Sequence, residues 1–162
     1  TGYRYSSTLT ANLALSHLPY QLTYSRSDKA LVPVWEFPVT IEDEKAPPLG
    51  ERFAAAVAVI DNIARHGGVA VVLIHPNVTG HKLQFEERLI DHYSKRLWIG
   101  SLREFGDWWR ARNFAEIDFD GATLTVDAPE AVKGVVIRFP KSGGSLVIDS
   151  KPGQQMLPVP AR

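Results

Sequence analysis

The chain has no cysteine among its 162 residues, which excludes disulfides, thiolate nucleophiles and Cys-ligated zinc within it. It has no excess of either charge. Eighteen Lys and Arg face eighteen Asp and Glu, so no long-range field draws it to nucleic acid or anionic lipid. The basic residues are scattered rather than striped, and nucleic-acid binding is not expected. Long hydrophobic runs are absent too: the longest, Phe53 to Ile60, has eight residues where a membrane span needs about 20. Paired histidines at metal spacing are also missing. No H-x-x-x-H or H-E-x-x-H occurs, so a complete metal site inside the chain is not expected.

What is present is ample core material, with 44% hydrophobic residues and nothing that reads as disorder. The chain opens "TGYRYSS" without an initiator Met and is expected to be a piece of something longer. "SSTLTANLALSHLP" predicts a helix capped by Ser6 or Ser7, with Leu9, Leu13 and Leu15 on its apolar side and Pro19 ending it. "LVPVWEFPVT", Leu31 to Thr40, is β-rich but carries Pro33 and Pro38, the mark of an edge or irregular strand. Phe53, Val57, Ile60 and Ala64 form one helical stripe that ends at Gly67-Gly68. The apolar run Val69 to Ile74 follows at once, as expected of a strand buried on both faces. A second amphipathic helix runs through Leu83, Phe85, Leu89, Ile90 and Tyr93, and "LWIG" predicts a short strand. Ser101 and Glu104 stand at capping-box spacing before a third helix.

Up to about Asn113 the alternation of helix and strand predicts an α/β layer or barrel. After it the texture becomes β only. Asp120-Gly121 lies between two alternating runs and marks a hairpin. "GVVIRFPKSGGSLVID" predicts a second hairpin turning at "KSGG", and "KPGQQMLPVPAR" reads as a Pro-rich tail. Two regions are therefore expected, 1–113 and a β extension, 114–162.

His75 is the chief candidate for chemistry. It ends an apolar run, and Pro76 stops the strand there. In α/β architectures functional side chains stand at the carboxyl ends of parallel strands, and an imidazole titrates near neutrality. The plainer alternative is a histidine that closes a strand and hydrogen-bonds to a loop. His66 lies in the last turn of a helix, where its affinity for the dipole accounts for it. Arg4, between Tyr3 and Tyr5, has the fork that orients a carboxylate bidentately. Glu36 follows Trp35 in an apolar strand and needs solvent, a cavity or a cationic partner. Trp35, Trp98, Trp108 and Trp109 are either sugar-stacking surfaces or core. "NVT" at Asn77 matches a glycosylation sequon, a pattern common by chance.

Taken in order, Gly2 to Ser7, Trp35-Glu36-Phe37-Pro38, Leu73-Ile74-His75-Pro76 and "WIGSLREFGDWW" resemble the second half of a polysaccharide deacetylase of the NodB-homology type, carbohydrate esterase family 4. The resemblance covers residues 1 to about 113. It implies the C-terminal half of a distorted (β/α) barrel followed by a small all-β appendage. It also implies hydrolysis of N-acetyl groups on an acetylated polysaccharide or oligosaccharide. Arg4 resembles the family's arginine that orients a catalytic aspartate. Leu73 and His75 match an L-x-H motif in which the leucine lines the acetyl-methyl pocket and the histidine protonates the leaving amine. Trp35 and Tyr5 join Leu73 on the substrate side. The family has an aspartate before a tryptophan to tune the histidine. Here the order is Trp35-Glu36, so Glu36 is taken as the substitute, with Glu42 or Asp43 as alternatives.

The family's aspartate base and its metal ligands precede the arginine motif, and Arg4 is almost the first residue here. The resemblance thus implies a divalent metal, zinc or similar, held by ligands outside this chain. An extracytoplasmic location follows from the same analogy alone. Half a barrel exposes a sheet edge, so a missing N-terminal segment, a second copy or another chain is expected to complete it. Two other readings stay open: a non-catalytic glycan-binding or scaffold protein, and a hydrolase of another non-peptide C–N bond.

Overall fold

The computed structural model describes residues 2–14, 17–77, 79–139 and 143–159. Leu15 of the expected first helix, Val78 of the sequon and most of the "KSGG" turn lie outside them. The chain divides into two units, Thr1–Gly100 and Ser101–Arg162.

In the first unit, β1 (Tyr5–Ser6) pairs in parallel with β3 (Leu31–Glu36), and β2 (Tyr20–Thr23) pairs antiparallel on its other side. Between β1 and β2 lies the single turn α1 (Ala11–Ala14). Pro38 separates β3 from β4 (Val39–Glu42), which pairs in parallel with β5 (Val71–Leu73). The crossover helix α2 (Phe53–Arg65) is rich in alanine, the best helix former, and buries Ala56, Ile60 and Ile63. It stops in a Schellman motif. Gly67 adopts φ 73°, its N–H donates to the Ala64 carbonyl, and the Gly68 N–H reaches Ile63 O at 2.9 Å. A Cβ on Gly68 would stand 2.8 Å from Ile63 Cγ2, so only glycine lets the chain turn this tightly into β5.

After β5, α3 (His81–Tyr93) turns Phe85 and Tyr93 inward. They meet Ile41, Leu49, Ala56 and Ile60, with Val72 and Ile74 of the β5 segment packed on the same cluster. Phe85 and Leu49 are essentially inaccessible, each burial contributing about 2–3 kcal/mol. The Tyr93 hydroxyl shares its one proton between Val57 O and Asp61 Oδ1, 3.1 Å each, and pins α3 to α2. Burial first, then the Asp61 hydrogen bond and charge, push this phenol up to about 12. The core thus fixes the ends of β4 and β5 beside each other.

In the second unit, α4 (Leu102–Phe114) begins with the expected capping box: Ser101 Oγ accepts the Glu104 N–H, and Glu104 accepts the Ser101 N–H. The helix packs on β7 (Thr123–Ala128) and β8 (Val132–Phe139). β6 (Glu116–Phe119) and β7 form the hairpin at Asp120-Gly121, where Asp120 Oδ1 accepts two N–H groups and Gly121 has φ 106°. β8 pairs with β9 (Gly144–Ser150), and β10 (Gly153–Pro158) pairs with β7. Leu124, Val126, Val132, Val135, Ile148 and Ala111 form the core.

The barrel expectation fails. The described strands fall into four small sheets, hold more residues than the helices, and close no barrel. The chain therefore does not show the C-terminal half of a NodB-type (β/α) barrel. The physical reason lies in the pairing. Among the described residues β4 and β5 form a sheet of two, joined only by an isolated bridge from Thr10 to Val39, β3 is bounded by β1 and β2, and residues 97–100 form no strand that could extend β5. Other expectations are corrected with it. β5 is half-buried rather than doubly buried, because only β4 flanks it. Of the two alternatives for β3 the irregular one holds: the strand is central, not an edge, and Pro33 fits because the β2 register shifts beside it. Among the described residues the first helix is the one turn Ala11–Ala14, and the residues expected as a tail supply β10. The described residues after Phe114 hold only strands, β6 to β10, and the unit they belong to also takes in α4.

Candidate acid–base site

β4 and β5 run in parallel with Glu42 opposite Leu73. Asp43 and His75 therefore leave the two strands at their shared carboxyl ends. The Asp43 carboxylate grips residue 75 twice: Oδ1 lies 2.8 Å from the imidazole Nδ1, and Oδ2 accepts the His75 backbone N–H at 2.9 Å. An ionised carboxylate only accepts, so Nδ1 carries the hydrogen. The tautomer is thereby set, and Nε2 is left as the position for proton exchange. The carboxylate is fully buried, whereas the His75 side chain is 43% exposed. One end of the dyad is dry and fixed, and the other is open.

Lys82, in the first turn of α3, completes the cluster. Its Nζ pairs with Asp43 Oδ2, donates to Asn77 Oδ1 at 2.9 Å and reaches His75 O at 3.3 Å. Its side chain is only 10% exposed. A cation near a helix N-terminus opposes the dipole, and a buried ammonium needs a partner. Asp43 answers both demands.

The electrostatics follow. Burial pushes the Asp43 carboxyl up, but hydrogen bonds from Lys82 and from the His75 ring and N–H, with the Lys82 charge, outweigh it. They hold Asp43 well below the usual carboxylate range. The Asp43 hydrogen bond raises His75 above its ordinary value. Desolvation and the Lys82 charge oppose this, and the Asp43 and Glu44 charges add to it. Glu44 is a minor partner, 3.8 Å from Nδ1 and mostly exposed.

The other candidates are placed differently. Glu36 is buried at the end of β3, but its Oε1 accepts the N–H groups of Thr8 (2.7 Å) and Leu9 (2.8 Å). It fastens the segment after β1 to β3. The carboxylate on the imidazole is Asp43, the alternative weighed in sequence. Tyr5 pairs with Trp35 across β1 and β3, and Trp35 is buried. Arg4 precedes β1, is exposed, and accepts the Trp35 N–H on its carbonyl. Leu73 is half-buried on β5.

Sequence reasoning missed Lys82, although a signal was there. Lys82, Phe85, Leu89 and Tyr93 share one helical stripe, and a lysine in an apolar stripe calls for a buried anion.

Among the described residues no group of three or more His, Cys, Asp or Glu side chains could hold a metal ion. The dyad does not fit one either, since both Asp43 oxygens are engaged and the Lys82 ammonium would repel a cation. Among the described residues no helix is long and apolar enough to cross a membrane. No family model matches the chain, and no curated protein or solved structure matches it.

Proposed function

We propose that this chain supplies the acid histidine of a hydrolase that removes an acetyl group from the nitrogen of an amino sugar in a polysaccharide or oligosaccharide. One observation carries the reading: a fully buried Asp43 carboxylate grips both the ring and the backbone of a half-exposed His75. An amide nitrogen is a poor leaving group until protonated. His75, held as the imidazolium by Asp43, donates its Nε2 proton as the C–N bond breaks, and Asp43 keeps the ring oriented meanwhile. Leu73, two residues before His75 on β5, is the apolar surface for the acetyl methyl that the resemblance assigns. Arg4 keeps the orienting role and Tyr5 the substrate-side role that it implies, whereas Trp35, buried on β3, is left to the core. The base and the divalent metal of such a hydrolase would come from outside this chain.

The test is acetate release from N-acetylated oligosaccharides by the full-length protein. His75→Ala is expected to lower turnover about 10²- to 10⁴-fold with the fold intact. Unchanged acetate release in that variant contradicts the assignment. A panel of amide substrates without sugars separates this reaction from hydrolysis of another C–N bond.

A further inference from the structure

A general acid must hold its proton until the transition state and then release it, which works best when it titrates near the working pH. A buried carboxylate on Nδ1, acting alone, threatens the second half of that requirement: it stabilises the imidazolium and opposes proton loss. The structure carries a counterweight. Asp43 divides its two oxygens, Oδ1 to the ring of His75, and Oδ2 to Lys82 and the His75 N–H. Lys82 also ties down the turn that follows His75, through Asn77 Oδ1 and His75 O. The charged groups that bear on the imidazole are Asp43 and Glu44 from the end of β4, and Lys82 from α3. Of these only Lys82 is cationic, and it is nearly buried, so solvent screens it little.

We propose that Lys82 is a positioning residue of this reaction, which shares the negative charge of Asp43 with His75 and so leaves the imidazolium able to give up its proton. The inference rests on the acid role of His75 given above. Lys82 is not needed to keep Asp43 in place, because the His75 N–H and Nδ1 hold both of its oxygens by themselves. Removing the ammonium should leave the dyad assembled and strengthen its hold on the proton.

The experiment is an NMR titration of the His75 ring in the full chain. In Lys82→Met the ring is expected to titrate at higher pH than in the wild type, and Lys82→Arg, which keeps the charge, should restore the wild-type curve. Lys82→Gln keeps a donor toward Asp43 and shows the same upward shift, should the methionine variant fail to fold. A lysine that only braces the turn would leave the curve in place or move it down as Asp43 swings away. Either result in a folded neutral variant overturns the inference. Asp43→Asn separates the two levels. If it lowers the His75 titration while the Lys82 variants do not raise it, only the role of Lys82 falls. If Asp43→Asn has no effect, the dyad itself falls, and Lys82 with it.

Discussion

Two carboxylates at the ends of consecutive strands are both buried and differently employed. Glu36 closes β3 and is 1% exposed, and Asp43 follows β4 with its carboxylate fully buried. Glu36 is satisfied by backbone N–H groups of Thr8 and Leu9, and Asp43 by a histidine and a lysine. A backbone amide does not titrate, so the Glu36 arrangement only fastens one segment to another. The Asp43 partners carry exchangeable charge, and one of them is open to solvent. Burial of an acid therefore does not by itself mark chemistry; what its partner can do with a proton decides.

This contrast can be broken by substitution. The largest effect is expected from Asp43→Asn, which leaves the Lys82 ammonium nearly buried without a counter-charge and costs about 3–5 kcal/mol, read as a lowered urea midpoint. Lys82→Met made on top of it should recover part of that loss, since the stranded charge is then gone. Glu36→Gln is milder. It weakens two charge-assisted hydrogen bonds, costs about 1–3 kcal/mol, and should leave acetate release by the full-length protein unchanged. A large loss of turnover without loss of fold would place Glu36 in the chemistry after all.

The smallest effect is the pH dependence of stability. Asp43 titrates below its ordinary value in the folded chain, so its contribution is present above about pH 4 and lost as pH falls. His75 titrates above its ordinary value, so its contribution is full below about pH 6.5 and lost as pH rises through the folded value. The dyad thus supports the first unit most between about pH 4 and about pH 6.5. Urea midpoints across that range should fall off on both sides in the wild type and flatten in Asp43→Asn. A Glu36→Gln variant should keep the wild-type profile.

How far the sequence could be read depended on the range of the interaction. The capping box at Ser101 and Glu104 and the hairpin at Asp120-Gly121 are signals within four residues, and both appear as expected. The strand before His75 was also legible from its apolar run, although β5 takes only Val71–Leu73 of the expected Val69 to Ile74. The barrel was not, since closure depends on which distant strands pair, and β4 and β5 form a sheet of two. The same long-range choice turns Gly153–Pro158, read as a tail, into β10 beside β7. At the site, an acid in an apolar strand told that Glu36 needs a partner, but not that the partner is backbone. Lys82 reaches Asp43 only through the packing of α3 against the β4–β5 ends, which no local pattern states.

Asp43, and not Glu36, is the carboxylate that raises the titration of His75. This assignment is tested most directly by following the His75 ring through an NMR titration in the wild type, Asp43→Asn and Glu36→Gln. The wild-type ring is expected to titrate above an ordinary histidine, Asp43→Asn to bring it down, and Glu36→Gln to leave it where it was. An unmoved titration in Asp43→Asn, or a lowered one in Glu36→Gln, would contradict it.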